Sequence, residues 1–219
     1  MTLRVVIVPV TPFQQNCSIA ICEATGRAAL VDPGGDIDRL LGEIDKQGVT
    51  PEKILLTHGH LDHCGATAEL RERLGLPVEG PHAEDRFWID QLPVQSVRFG
   101  LPRAAAFTPD RWLAGGDVVR FGAVEMEVRF CPGHTPGHIV FFHRDERVAF
   151  VGDVLFHGSI GRTDFPRGDF DALIRSITAE LWPLGDDVTF VPGHGPVSTF
   201  GEERRTNPFV ADAVLGGRR

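Results

Sequence analysis

Tyrosine is absent from this chain of 219 residues, methionine occurs twice, and cysteine only four times. The cysteines, Cys17, Cys22, Cys64 and Cys131, lack the spacing of a disulfide framework. That excludes a stapled secreted scaffold and fits reduced, partly buried thiols in a cytoplasm. Cys64 and Cys131 stand close to the chemistry described below, which leaves an accessory or redox role open for them. No run approaches the roughly 18 apolar residues of a membrane helix. The start reads as a strand over 3–8 cut short by Pro9, without the apolar core and cleavage site of a signal peptide. Positive charge is scarce: 22 Lys and Arg stand against 30 Asp and Glu, a formal charge of −8. That deficit argues against a broad phosphate-binding face, so neither nucleic acid nor a membrane is an expected partner. No G-x-S-x-G elbow is found, which removes the serine-hydrolase route. No linker or low-complexity segment interrupts the chain, so one domain over residues 1–219 is expected.

What the chain does have is histidine in a pattern. Thr57-His58-Gly59-His60-Leu61-Asp62-His63 follows the apolar run Ile54-Leu55-Leu56. A strand ending in such a cluster offers imidazole nitrogens and a carboxylate on one tight loop, the donors that suit zinc and other borderline divalent ions. Three more β-prone runs each deliver one such side chain at or just past their ends: 128–133 leads to His134, 148–152 to Asp153, and 188–193 to His194. Gly and Pro-Gly steps let the backbone turn there. A single loop histidine is usually a surface or capping residue, but four strand ends carrying ligand-type residues form a far stronger signal. The donors divide into two sets. His58, His60 and His134 suit one ion; Asp62, His63 and His194 suit a second, with Asp153 bridging. Two ions about 3.5–4 Å apart can share a hydroxide and clamp both sides of a hydrolytic displacement.

The order HGHLDH, PGH, GD, PGH resembles the metallo-β-lactamase superfamily, from Val31-Asp32-Pro33 to His194. Within it the chain is most similar to the short glyoxalase II-like hydrolases, which cleave hydroxyacyl-glutathione thioesters; the segment 158–169, GSIGRTDFPRGD, carries the same likeness. The resemblance implies an α/β four-layer αββα sandwich, two β-sheets between helices, with a dinuclear metal site at the sheet edge. It implies two divalent ions, zinc first, with iron or manganese as alternatives. The substrate class it implies is a small-molecule thioester, glutathione-linked or related, attacked by a metal-bridging hydroxide that Asp62 both orients and helps to ligate. Asp32 reads equally well as a turn residue; the resemblance makes it the acid that receives a proton from a ligand imidazole. His138, four residues after His134, is a candidate for the same supporting role, while His143 and His157 read as structural or surface. Arg162 stands where the family pattern has a basic residue and could meet a substrate carboxylate, or pair on the surface with Asp164. A departing thiolate needs little help from an acid, because free thiols have a pKa near 8.5.

Two departures and two rivals belong beside that resemblance. Larger glyoxalase II enzymes use a C-terminal helical domain, including tyrosine, to hold glutathione; this chain has no tyrosine, and 25 residues follow His194. A persulfide dioxygenase using one iron on His58, His134 and Asp153 shares the first loop and the Gly-Arg-Thr-Asp-Phe segment, but leaves the Pro-Gly-His-Gly-Pro stretch at His194 unexplained. A lactonase or β-lactamase on the same scaffold is a third reading, and a metal-holding protein without turnover a fourth.

The periodicity predicts strands over 17–22 and 28–31, a helix over 36–46 with Asp36 as N-cap and Gly48 beyond its end, and a strand over 53–56. A helix over 65–74 stopped by Gly75 and a short strand at Val78 follow. Residues 80–115, broken by four prolines, read as a short helix over 84–91 and loops rich in Phe and Trp, either core under a long connection or a wall over the site. Hairpins over 117–130 and 138–151, a helix over 169–182 stopped by Pro183, a strand over 188–191 and a final helix within 200–215 complete the expectation.

Overall fold

The computed structural model describes residues 2–217; Met1, Arg218 and Arg219 lie outside the described residues. The first half builds a five-stranded sheet in the order β1 (Leu3–Val10), β2 (Gln15–Cys22), β3 (Arg27–Val31), β4 (Thr50–Leu55), β5 (Val78–Glu79). Helices α1 (Ile37–Gln47), α2 (Leu61–Cys64), α3 (Thr67–Leu74), α4 (Arg86–Asp90) and α5 (Leu92–Arg98) belong to this half. The second half builds a six-stranded sheet from β6 (Val118–Phe121), β7 (Val124–Phe130), β8 (Ile139–His143), β9 (Val148–Gly152), β12 (Thr189–Pro192) and β13 (Ser198–Thr199), with the small hairpin β10 (Leu155–Phe156) and β11 (Ser159–Ile160) between β9 and β12. Its helices are α6 (Phe170–Ser176), α7 (Phe200–Thr206) and α8 (Asp212–Gly216).

Alternation along the strands sorts the apolar residues into three cores. Ala20, Cys22, Ala29 and Val31 face Phe121, Met126, Phe141 and Phe150 between the two sheets. Ile19, Ile21 and Leu30 point the other way and pack against Leu40 and Ile44 of α1, Leu70 of α3 and Leu92 of α5. Val140, Phe142 and Val151 do the same on the far side, against Leu173, Trp182 and Phe200. The result is helix, sheet, sheet, helix. Each fully buried aromatic such as Phe141 stabilises that arrangement by about 1.5–3 kcal/mol.

Several local expectations shift. β1 runs through Pro9 to Val10 because it is an edge strand, where a missing N–H interrupts no second ladder. Asp36 precedes α1 but does not cap it; its Oδ2 accepts instead from the Thr11 N–H at 2.8 Å and ties down the preceding loop. Gly48 and Gly75 close their helices in the left-handed conformation, as expected. The expected 65–74 helix is α3, which begins at Thr67, and the one-turn helix α2 precedes it within the histidine loop. Helix α5 falls where sequence reading placed loop: Pro93 sits in its first turn, where no N–H is needed. The expected 169–182 helix is α6 followed by a wider turn, Ile177–Leu181, and a tight one, Trp182–Leu184. The C-terminal segment forms two helices with Pro208 between them. Among the described residues no helix is long and apolar enough to cross a membrane.

Candidate metal centre

The ends of β4, β7, β9 and β12 converge on one edge of the sandwich, and each carries its donor there. Nε2 of His58 lies 3.1 Å from Nδ1 of His60, and Nε2 of His134 lies 3.0 Å from the same atom. Asp62 Oδ2 lies 3.2 Å from His194 Nε2 and 3.8 Å from His63 Nε2. Between the two groups stands Asp153: Oδ1 is 3.3 Å from His63 Nε2, and Oδ2 is 3.5 Å from His134 Nε2 and 3.7 Å from His194 Nε2. All seven side chains singled out from the sequence therefore meet in one place.

The chain also decides which nitrogen carries the proton. Thr57 donates its hydroxyl to Asp32 Oδ2 at 2.6 Å, which leaves its oxygen to accept from His58 Nδ1–H at 3.0 Å. His134 Nδ1–H donates to the Arg162 carbonyl at 2.7 Å. His63 Nδ1–H donates to Asp32 Oδ2 at 2.9 Å, and His194 Nδ1–H to the Phe13 carbonyl at 3.2 Å. In all four Nε2 is the nitrogen turned to the centre: it is a bare lone pair in neutral His58 and His134, and becomes one in His63 and His194 when a cation displaces the proton that Asp62 and Asp153 hold there. His60 differs, presenting Nδ1, with its Nε2 buried and unpartnered beside Trp88 and Phe165. Asp32 thus occupies the proton-accepting place considered for it, in a left-handed turn at φ 52°. His138 supports in another way: its Nε2 accepts from the Asp153 N–H at 3.0 Å, and its ring stacks on His58 at 4.6 Å.

Electrostatically the sets differ. Burial, with repulsion from neighbouring imidazoles, holds His58 well below its usual value and His60 at about 3, so both are neutral. Burial also lowers His134, against the pull of Asp153. Burial opposes the charged form of His63 too, but Asp153 and Asp62 outweigh it and hold His63 well above the usual range. His194 is raised by Asp62 and Asp153 against its own burial. The surrounding imidazoles overcome the effect of burial on Asp62 and Asp153 and keep both carboxyls ionised.

A cation fits this donor set. His63 Nε2 and Asp153 Oδ1 are buried with no hydrogen-bond partner, a costly state that ligation removes. Three imidazoles form one set, and two imidazoles with a carboxylate form the other; both suit borderline divalent ions. A third cluster, Asp32–His58–His63, is not another ion site, because both Asp32 oxygens are taken by Thr57 and His63. Gly193 is required here: a Cβ would collide with Asp153 Oδ1 and fall 2.6 Å from His63 Cε1.

Some residues of the centre were not singled out from sequence. Asp85 is fully buried and accepts from Gly59 N–H (2.9 Å), Gly137 N–H (2.6 Å) and the Thr135 hydroxyl (2.7 Å), joining the first histidine loop to the His134–His138 loop. Burial raises it to about 6 against those three bonds. The sequence signal for it is slight: an acid within the first turn of the short helix expected over 84–91. Asn16 donates to the Pro192 and Gly195 carbonyls at 3.1 and 2.8 Å and so fixes the His194 loop from the opposite sheet.

A cavity of about 660 Å³ opens over the centre, lined by Asp62, Asp153, His194 and the aromatics Phe13, Trp88, Phe99, Phe156 and Phe165. Part of the 80–115 segment is therefore wall as well as core. Arg162 lines it, but its guanidinium is held by both oxygens of Asp164 (2.9 and 2.8 Å), the pairing weighed for it, and lies over Phe165. His143 and His157 are local: the first accepts from Glu146 N–H, the second meets Glu203. The four thiols are unpaired and buried, and burial pushes Cys17, Cys64 and Cys131 up, away from redox reactivity.

Known proteins resemble this chain in sequence and fold. Residues 10–194 match the family described as Metallo-beta-lactamase superfamily. The chain is 47% identical over 209 residues to "Hydroxyacylglutathione hydrolase GloC" of Haemophilus influenzae, covering 95% of this chain and 98% of that one. It superposes on the BLEG-1 B3 metallo-beta-lactamase with a TM-score of 0.87 at 35% identity, covering 94% of this chain and 99% of that one. With TTHA1623 in a di-iron-bound form the TM-score is 0.85 at 38% identity, over 94% and 100% of the two chains. The chain belongs to the metallo-beta-lactamase superfamily.

Proposed function

We propose that this protein is a metal-dependent thioester hydrolase acting on hydroxyacyl-glutathione or a closely related thioester. The observation that carries the reading is the convergence of seven donors into two sets, with Asp153 within 3.3–3.7 Å of members of both, on the floor of an open, aromatic-lined cavity. The likeness to a hydroxyacylglutathione hydrolase over nearly the whole of both chains supports the substrate class.

We assign His58, His60 and His134 to one ion, Asp62, His63 and His194 to the other, and Asp153 to both. Two such ions supply an acidified water as nucleophile and a Lewis acid for the acyl oxygen. Asp62 faces the cavity, about one-fifth exposed, and stays ionised, so it can accept a hydrogen bond from the attacking water and aim its lone pair. Asp32, Thr57, His138 and the Arg162 carbonyl hold the imidazoles and Asp153 in register. The aromatic walls exclude bulk water around the acyl group. The leaving thiolate needs no dedicated acid, consistent with the lack of one in the cavity lining. Zinc is the ion we assign, with iron as its rival because a relative is known in a di-iron-bound form. The four unpaired thiols support a cytoplasmic setting. A one-iron dioxygenase using His58, His134 and Asp153 would leave Asp62, His63 and His194 without a role.

The test is metal content beside a rate comparison among lactoyl-glutathione, a plain acyl thioester, a lactone and glutathione persulfide. Two ions per chain and fastest turnover of the hydroxyacyl thioester are expected. One iron per chain with oxygen uptake on the persulfide would overturn the assignment.

A further inference from the structure

The cavity has a second polar end, remote in character from the metal donors. Trp88, Gln91, Gln95 and Arg98 all line it. Their spacing of three, four and three puts them on one face of the nearly continuous rod α4–Gln91–α5, with Val94 and Val97 turned out to solvent. Every one of the four carries a hydrogen-bond donor. Trp88 Nε1 and Gln95 Nε2 are buried without partners. Rotating the Gln95 amide by half a turn exchanges its nitrogen and oxygen without changing its shape, so either can face the cavity. Among the described residues the side chains of Gln91 and Arg98 have no hydrogen bond or ion pair, whereas the other lining arginine, Arg162, is engaged by Asp164.

Resting on the thioesterase reading, we propose that this row binds the thiol-carrier half of the substrate, and that the carrier is an amide-linked thiol ending in a free carboxylate. With the acyl group at the metal donors, the carrier lies along α4 and α5: the two glutamines meet its amide oxygens, the Trp88 ring lies beside its chain, and Arg98 meets its carboxylate. Phe13 and Phe99, edge to face at 5.9 Å, form the apolar wall beside it. The 86–98 segment of this chain thereby supplies carrier recognition from within the sandwich. Arg98 is exposed, so its replacement does not threaten the fold.

The experiment uses the metal-loaded full chain and two thioesters with the same lactoyl group, one on glutathione and one on N-acetylcysteamine, which has an amide but no carboxylate. Binding of S-methylglutathione, which cannot be hydrolysed, is measured beside them by calorimetry. Arg98→Gln is expected to lower kcat/KM for the glutathione thioester roughly tenfold or more relative to the N-acetylcysteamine thioester, chiefly through KM, and to weaken S-methylglutathione in parallel. Gln95→Leu should weaken both thioesters, since both carry an amide. An equal effect of Arg98→Gln on the two thioesters, or none on either, overturns the proposal while the hydrolase reading stands. Should neither thioester be hydrolysed by the unaltered chain, the hydrolase reading fails, and S-methylglutathione still decides the carrier site: binding lost on Arg98→Gln upholds it, and binding unchanged or absent overturns it.

Discussion

Asp32→Asn is the most informative single change, because the two side chains have one shape and differ in one donor. Oδ1 of Asp32 accepts from the Thr57 backbone N–H at 2.7 Å, and that donor cannot reverse. The asparagine oxygen therefore takes this place, and its NH₂ takes the place of Oδ2, facing Thr57 Oγ1 and His63 Nδ1. The hydroxyl can turn to accept. His63 Nδ1 must then accept as well, which moves its proton to Nε2, the atom turned toward Asp153 and Asp62. The reverse orientation leaves the buried Thr57 N–H unpaired at about 1–3 kcal/mol, so the fold favours the wrong tautomer. Loss of such a supporting contact costs about 10- to 100-fold in metal affinity, or roughly 1.4–2.8 kcal/mol. The loss should fall on the set Asp62–His63–His194, since none of His58, His60 and His134 bonds to Asp32 directly. Chelator competition should show one ion held as in the unaltered chain and the second weakened, and the ¹⁵N shifts of His63, read in the metal-free chain at a pH above the titration of that ring, should report the exchanged tautomer. Two ions bound with unaltered affinity would refute the tautomer argument.

Asp153→Ala removes the one carboxylate near both sets, and both ions with nearly all hydrolysis should be lost; elemental analysis showing two retained ions would count against its bridging role. Gly193→Ala drives a methyl group into Asp153 Oδ1 and the His63 ring, so kcat should drop by about 100-fold or more while circular dichroism stays native; undiminished turnover would mean that the loop moves freely. For Asp85 the folded value, about 6, lies above that of an ordinary carboxyl. A raised acid contributes stability below the unfolded value and loses it as pH rises through the folded one. In the metal-free chain, stability relative to Asp85→Asn should therefore fall by roughly 3 kcal/mol between about pH 4 and pH 6–7 in urea titrations. A difference independent of pH would show that Asp85 titrates normally.

The donors were legible because each follows a β-prone run and a glycine turn, and strand ends are a local signal. The residues that aim them were harder to see. Asp85 and Asn16 act on loops 26 or more residues away, and nothing within a helical or strand period of either residue marks that contact. Helix α5 was hidden by Pro93, which breaks a helix interior but starts one without cost. Asp36 illustrates the converse: a good capping residue whose carboxylate was claimed by a backbone N–H from another loop. Local propensity predicted where these elements lie, and tertiary acceptors decided what their polar groups do.

That division bears on how the centre is made. The acceptors for His58, His63, His134 and His194 come from Thr57, Asp32, the Arg162 carbonyl and the Phe13 carbonyl, drawn from both halves of the sandwich. Asn16 and Asp85 then tie the loops bearing those histidines to one another across the sheet edge. The contacts of Thr57, Asp32, Asn16 and Asp85 satisfy buried polar groups that would otherwise cost about 1–3 kcal/mol each, so the fold has its own reason to form them. The lone pairs are thus aimed inward by folding, and a cation entering finds donors whose ordering entropy has already been met. Preorganisation of this kind places the sensitivity of the centre in its acceptors as much as in its ligands, which is why an isosteric change at Asp32, a residue that need touch no ion, is expected to remove one.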